Sequence, residues 1–388
     1  MLGTHARSVR RAFFAAGILA AAVALAAPIG CGRNQNAAAP APGEPTKVKV
    51  AYLGLTCEAP IFVAHEKGLF KEENLDVELV KTDWDGLREG LASGQFDANH
   101  TLIMYLLKAI EKNSDIKITG GIHTGCLRLQ VGVKSEIKSP AELKGKKIGV
   151  PTHIGSPPYM FASRVLAANG IDPSQEAKQV TWLAFPPDAL AKAIEDGRID
   201  AVATSDPIGT ILVGKGIVRT IADQATDAPY SEEYCCATVV SGQLVKKNPG
   251  AAAAVTRAML KASKWVEANP KASAEMAVEK KYIAASAEIN AQALSHLRYI
   301  PGVAKCQRSI ESAAAEMKKA KLLNEATDPV ALSKRAWVDL EGVTDERVLA
   351  MKVERIEGGG RPALLAPREF AALFDMRKLC CGCCCLGE

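Results

Sequence analysis

The chain has no Gly-x-Ser-x-Gly elbow, no His-Glu-x-x-His pair and no P-loop, so nothing in it points to hydrolase, zincin or nucleotide chemistry. No lysine/arginine run interleaves with aromatics, and aromatics make up only 5% of the 388 residues, which leaves no nucleic-acid surface to read. The net charge of +5 is not gathered into a patch, since part of it comes from N-terminal arginines and the tail. What remains is a chain that is 48% hydrophobic with charges of both signs well mixed, the composition of a soluble globular body with room for two domains.

The first forty residues read as an address. Arg7, Arg10 and Arg11 precede the apolar stretch FFAAGILAAAVALAA, a secretory signal over residues 1–30. The adjacent Arg10 and Arg11, followed by Phe13 and Phe14, also fit a twin-arginine signal, although paired arginines occur in ordinary signals too. PIGC then places Gly30 before Cys31 as in a bacterial lipobox, with Pro28 where leucine is usual. Lipidation of Cys31 and cleavage near ALAA with release are the two readings. Residues 31–46, rich in Pro and small residues, form a tether that cannot bury enough surface to fold. Stable anchoring needs more than one acyl chain, because each buried methylene contributes about 0.8 kcal/mol.

From Lys47 onward, short β-type runs alternate with helix-length amphipathic segments, the pattern of an α/β protein with largely parallel sheets. KVKVAYLG, LDVELVKT and DIKITGGI read as strands. APIFVAHEKGLFKEEN, WDGLREGLASG and TLIMYLLKAIEKN read as helices. A second set begins at Lys146 with KKIGVPT, SPPYMFASRVLAANG, KQVTWLAF, PDALAKAIEDG, IDAVATS and DPIGTILVGKG. LRLQVGV and YCCATVVSG read as two extended crossings between lobes. The expected layout is lobe 1 over 47–128 and 234–345, lobe 2 over 129–233, and a C-terminal extension over 346–388.

IFVAHEKGLFKEENLDVELV, GQFDA, LKGKKIGVP, EDGRIDAV and LVKKNPGAAAAVTRAML resemble, in order and spacing, the nitrate/sulfonate/taurine and thiamine-pyrimidine type of periplasmic binding protein of ABC importers, over about residues 47–345. The resemblance implies a type II-like fold of two α/β lobes, a small solute held between them, and delivery to a membrane permease and ATPase. With the N-terminal signal and Cys31, the expectation is an extracytoplasmic, membrane-anchored monomer, with no catalytic residues and no resident cofactor beyond a candidate bound metal. Closure would be a hinge motion. A related enzyme, thiamine-pyrimidine synthase, carries a longer cysteine-rich string before the segment matching KKNP. Here only Cys235 and Cys236 stand there, which disfavours that chemistry.

In open sheets of this kind ligands lie beyond the carboxyl ends of the strands. The loops to read are then LTCEAP, NHTL, GIHTGC, THIGSPP and TSDP, with YCC from the returning crossing. They supply Cys57, Glu58, Thr101, His123, Cys126, His153, Ser156, Asp206, Cys235 and Cys236 as ligand-binding candidates. Ser156 and Asp206 have a second reading as plain helix caps, Pro157 starting the helix after one and Pro207 following the other. His100 reads as a capped loop residue, Trp84 as core filling, and His65 as surface or packing. The residue types are odd for an anion site, since arginine appears only as Arg128. Thiols and imidazoles suit Cu(I) or Zn(II), so Cys57, His123, Cys126, Cys235 and Cys236 are metal candidates. The competing reading is one or two disulfides, as exported cysteines tend to pair. In the tail, Cys380, Cys381, Cys383, Cys384 and Cys385 form a cluster no core can use, read either as a soft-metal chelating tag or as unordered thiols. A metal-storing or metal-sensing lipoprotein that works without a permease is the alternative function.

Overall fold

The computed structural model describes residues 43–362. The signal, Cys31, most of the tether and the five tail cysteines lie outside the described residues. In chain order the elements are β1 (Thr46–Tyr52), α1 (Ala59–Glu66), α2 (Leu69–Glu72), β2 (Leu75–Lys81), α3 (Trp84–Ser93), β3 (Ala98–Leu102), α4 (Ile103–Glu111) and β4 (Ile116–His123). Then come β5 (Leu127–Gly132), β6 (Lys147–Pro151), α5 (Pro157–Ala168), β7 (Thr181–Phe185), α6 (Leu190–Glu195), β8 (Ala201–Ser205), α7 (Ile208–Gly214), β9 (Val218–Asp223) and β10 (Cys236–Ser241). Seven helices follow: α8 (Gly242–Lys247), α9 (Pro249–Ala268), α10 (Pro270–Glu279), α11 (Ala287–His296), α12 (Ala304–Lys319), α13 (Pro329–Ala336) and α14 (Asp345–Ala350).

Two five-stranded sheets result, ordered β2-β1-β3-β10-β4 and β7-β6-β8-β5-β9. They share one plan. In the first, β1 runs parallel to β2 and β3, and β10 runs antiparallel to β3 and β4. In the second, β6 runs parallel to β7 and β8, and β5 runs antiparallel to β8 and β9. The fourth strand of each sheet is therefore a crossing segment. LRLQVGV and YCCATVVSG are sheet strands as well as connectors, and the second sheet takes in Leu127 and Arg128. Because these strands run against their neighbours, each brings its first residues to the carboxyl ends of the others.

Local sequence explains the element ends. Asp83 caps α3 by accepting the Gly86 N–H at 2.8 Å, and Gly94 closes the helix at φ +73°. Leu87 and Leu91, one turn apart, face the core with no exposure. Asn248 accepts the Ala251 N–H at 3.0 Å ahead of Pro249, starting the 20-residue α9, which packs against α1 and β4.

Two sequence expectations change here. APIFVAHEKGLFKEEN is two helices, because Gly68 adopts φ +72° between α1 and α2. TLIMYLLKAIEKN does not begin as a helix: Ala98–Leu102 is a strand buried at all five positions between β1 and β10, and α4 starts only at Ile103. Asn99, His100 and Thr101 are polar yet buried, so this strand, covered on both faces, shows neither an apolar run nor an alternation. His100 and Thr101 are accordingly strand residues rather than loop residues. Among the described residues no helix is long and apolar enough to cross a membrane.

Candidate thiol–imidazole site

Four residues from separate segments meet at the carboxyl end of the first sheet. Cys57 lies in the turn between β1 and α1, His123 ends β4, Cys126 stands between β4 and β5, and Cys236 begins β10. One ligand atom from each lies within 4.8 Å of all the others, and all four residues are buried. Register fixes part of this arrangement, since Cys236 pairs with Leu102 on one side and His123 on the other. The Cys235 N–H donates to the His123 carbonyl at 3.1 Å, and the Ile103 N–H donates to the Cys235 carbonyl at 3.0 Å. Gly121 makes room for this: a Cβ there would sit 2.6 Å from the Tyr234 ring, so glycine lets Tyr234 lie on β4 and set the following cysteines.

All five described cysteines are free, Cys57, Cys126, Cys235 and Cys236 among them, and the Cys235 and Cys236 sulfurs are 3.8 Å apart. The disulfide reading is not what the structure holds. Hydrogen bonding to Cys126, together with burial, pushes the Cys57 thiol up to about 11. Hydrogen bonding to Cys235, again with burial, does the same to Cys126. Burial also opposes ionisation of Cys235, but hydrogen bonds from Cys126 and Cys236 outweigh it and bring this thiol down to about 6, while Cys236 rises.

His123 Nδ1 faces the Thr124 carbonyl at 3.4 Å, and its Nε2 has no partner among the described residues. The His123 ring lies 5.1 Å from that of His100 and 4.9 Å from that of Tyr299. Both His100 nitrogens are likewise without partners, and burial keeps this imidazole neutral. Tyr299 donates to the Cys57 carbonyl at 3.1 Å. Sequence reading placed His100 beside the site, in NHTL, but took it for a capped loop residue, and it missed Tyr299 as a neighbour. Tyr299 stands 242 residues from Cys57, and no local pattern connects them.

The other candidates are placed as follows. Glu58 is buried with its carboxylate accepting N–H groups of Leu53, Gly54 and Leu55 at 2.8 to 3.0 Å, so it organises its own loop. Burial pushes this carboxyl up to about 8. Asp206 is held by Arg128 through two bonds of 3.0 and 3.1 Å and accepts from the Thr210 N–H and hydroxyl. Its oxygens are engaged by Arg128 and Thr210, and the N-cap position of α7 is Pro207 rather than Asp206. Ser156 sits at the N-cap position of α5 but makes no capping bond, and its buried Oγ has no partner among the described residues. Thr101 Oγ1 is buried in the same state. His153 lies apart, in a groove of about 660 Å³ shared with Arg88, Tyr105, Lys108 and Lys321.

At the corresponding end of the second sheet, Arg128 lies 3.5 Å from Asp223 as well, and Asp223 meets His296 of α11 at 2.8 Å. Burial opposes the charge on Asp223, but the His296 hydrogen bond and the Arg128 charge hold its carboxyl below the usual range.

Comparison with known proteins bears on this arrangement. The nitrate/nitrite binding protein NrtA of Nostoc is 27% identical over 294 residues, covering 69% of this chain and 66% of its own length, so the chain spans about two thirds of that relative. The periplasmic nitrate-binding protein NrtA from Synechocystis superposes with a TM-score of 0.62 at 18% identity, covering 86% of this chain and 98% of its own. The periplasmic aliphatic sulphonate binding protein SsuA from Escherichia coli gives 0.62 at 20% identity, covering 77% and 95%. The two sheets and their paired crossings are thus the two-domain periplasmic-binding-protein fold. With a family model matching residues 41–279, the chain belongs to the NMT1-like family.

Proposed function

We propose that this chain is the extracytoplasmic solute-binding lipoprotein of an ABC importer. Lobe 1 (expected over 47–128 and 234–345, with Leu127 and Arg128 passing to lobe 2 as part of β5) and lobe 2 (up to 233) close on a small ligand at the strand ends and present it to a permease and ATPase. The observation that carries this reading is the repeated sheet plan, in which both crossing strands bring their first residues to the ends where ligands bind in such folds. Export through residues 1–30, possession of a lipid at Cys31 and a tether over 31–46 belong to the same proposal, as does binding without catalysis. The relatives named above bind nitrate, nitrite or sulphonate. Transfer of those ligands to this chain is disfavoured, because Arg128 is already paired with Asp206 and Asp223 and the first sheet ends in thiols. The thiols also support a second reading, a metal-sensing lipoprotein that works alone.

Solution scattering and thermal unfolding with nitrate, bicarbonate, a sulfonate, Zn(II) and Cu(I) separately test the clamp. One class should shrink the radius of gyration and raise Tm in step with its concentration over Kd. No compaction with any of them would reject solute capture. Labelled fatty acid should be incorporated into the full chain and lost in Cys31→Ser; equal labelling of both would reject the anchor.

A further inference from the structure

The structure assigns Cys57, His123, Cys126 and Cys236 a specific task, which is to hold one thiophilic d10 cation, Zn(II) or Cu(I), with three sulfurs and one imidazole nitrogen. Buried cysteines alone would not require this, since a free thiol packs well as a small apolar group. His123 breaks that reading. An imidazole nitrogen without a partner at a fully buried position costs about 1–3 kcal/mol, and an aliphatic residue would fill the space without that loss. With Nδ1 turned to the Thr124 carbonyl, Nε2 is the ring atom left over, the arrangement in which metal-bound histidines are normally held.

The dimensions agree. Tetrahedral ligands at about 2.3 Å from a metal lie about 3.8 Å from one another. The four atoms here already fall within 4.8 Å, so loading needs a contraction of about 1 Å. Loading replaces each thiol S–H by an S–metal bond and releases its proton to solvent, while the imidazole enters neutral. Three sulfurs select against hard cations such as Mg(II) or Ca(II), which take oxygen ligands.

Placement gives the site a further property. Cys126 and Cys236 stand on the two segments that join the sheets, Cys57 lies in the turn after β1, and His123 ends β4 of the first sheet. An ion at this point ties both crossings to lobe 1. Its role as the captured solute rests on the solute-binding reading, whereas the site itself rests on the geometry alone.

The test uses the full chain with Cys380, Cys381, Cys383, Cys384 and Cys385 changed to Ser, kept reduced, so that tail thiols cannot supply the ligands. Zn(II) titrated against a competing chelator should bind at one equivalent, and Co(II) in its place should give intense thiolate-to-metal charge transfer. Adding Cys57→Ser or Cys126→Ser should weaken binding by more than the roughly 10–100-fold expected from losing an outer-shell partner. Adding Cys306→Ser, a buried thiol outside the set, should change nothing. The Co(II) spectrum of the tail-serine chain answers the question even if a serine variant fails to fold. Absence of charge transfer, or equal Zn(II) retention with and without Cys57 and Cys126, would overturn the site. Compaction by an oxyanion with no Zn(II) or Cu(I) binding would overturn the cation site and leave the clamp standing. One tight equivalent of Zn(II) without compaction would uphold the site and reject capture.

Discussion

The two sheets are built to one plan and end in opposite chemistry. In the second, the crossing strand β5 delivers Arg128 between Thr204 of β8 and Asp223 of β9, and its guanidinium is held by Asp206, Thr210 and Asp223. In the first, β10 delivers Cys236 between Leu102 of β3 and His123 of β4, and the side chains gathered there leave imidazole nitrogens without partners. The charged groups at the second end are matched within the protein, although the Ser156 Oγ and Gln224 Oε1 of that lobe have no partner among the described residues. At the first end it is imidazole nitrogens that have none. Buried polar groups are nearly always paired, so the end with unpartnered imidazoles is where a ligand is expected.

The contrast can be broken by substitution. Arg128→Ala strands two buried carboxylates and should cost about 3–5 kcal/mol, read as a lower denaturation midpoint in urea. An unchanged midpoint would mean the second sheet end is not the closed network described. Gly121→Ala drives a Cβ into the Tyr234 ring and should cost about 1–3 kcal/mol, with faster thiol labelling as Cys235 and Cys236 shift. Tyr234 tolerating the methyl group, with labelling unchanged, would show that β4 does not set those cysteines.

A smaller effect attaches to His296→Ala, about 1 kcal/mol, and it has a sign in pH. Asp223 is held below its ordinary 3.8, so its contribution is present above that value and is lost as pH falls through the lowered one. Acid titration of stability should therefore flatten in the variant below about pH 4, and curves that coincide would contradict the pairing. The smallest effect is expected at the other sheet end. His123→Leu in metal-free protein should leave stability within about 1 kcal/mol or raise it, because the nitrogen removed has no partner. A large loss there would show that the imidazole is already satisfied.

Much of this could be read from the residues alone. The alternation of strands and helices, the two crossings and the five recurring strings led to the fold, because periodicity and turn chemistry are local. The gathering of Cys57, His123, Cys126 and Cys236 followed from placing loops at strand ends, a rule of the fold. What escaped reading was non-local. β3 (Ala98–Leu102) was hidden because Asn99, His100 and Thr101 are polar although fully buried, so neither an apolar run nor an alternation marks it. Asp206 looked available because Arg128 is 78 residues away in sequence, and only β5 lying next to β8 brings them together. Glu58 looked free because turning back onto Leu53, Gly54 and Leu55 leaves no trace in composition.

X-ray absorption at the metal edge of the Zn(II)-loaded, tail-serine chain tests the contrast between the sheet ends most directly. The account predicts three sulfur scatterers at about 2.3 Å and one nitrogen at about 2.0–2.1 Å, with one sulfur lost in Cys126→Ser. A shell of oxygens, or a sulfur count indifferent to Cys126, would contradict it.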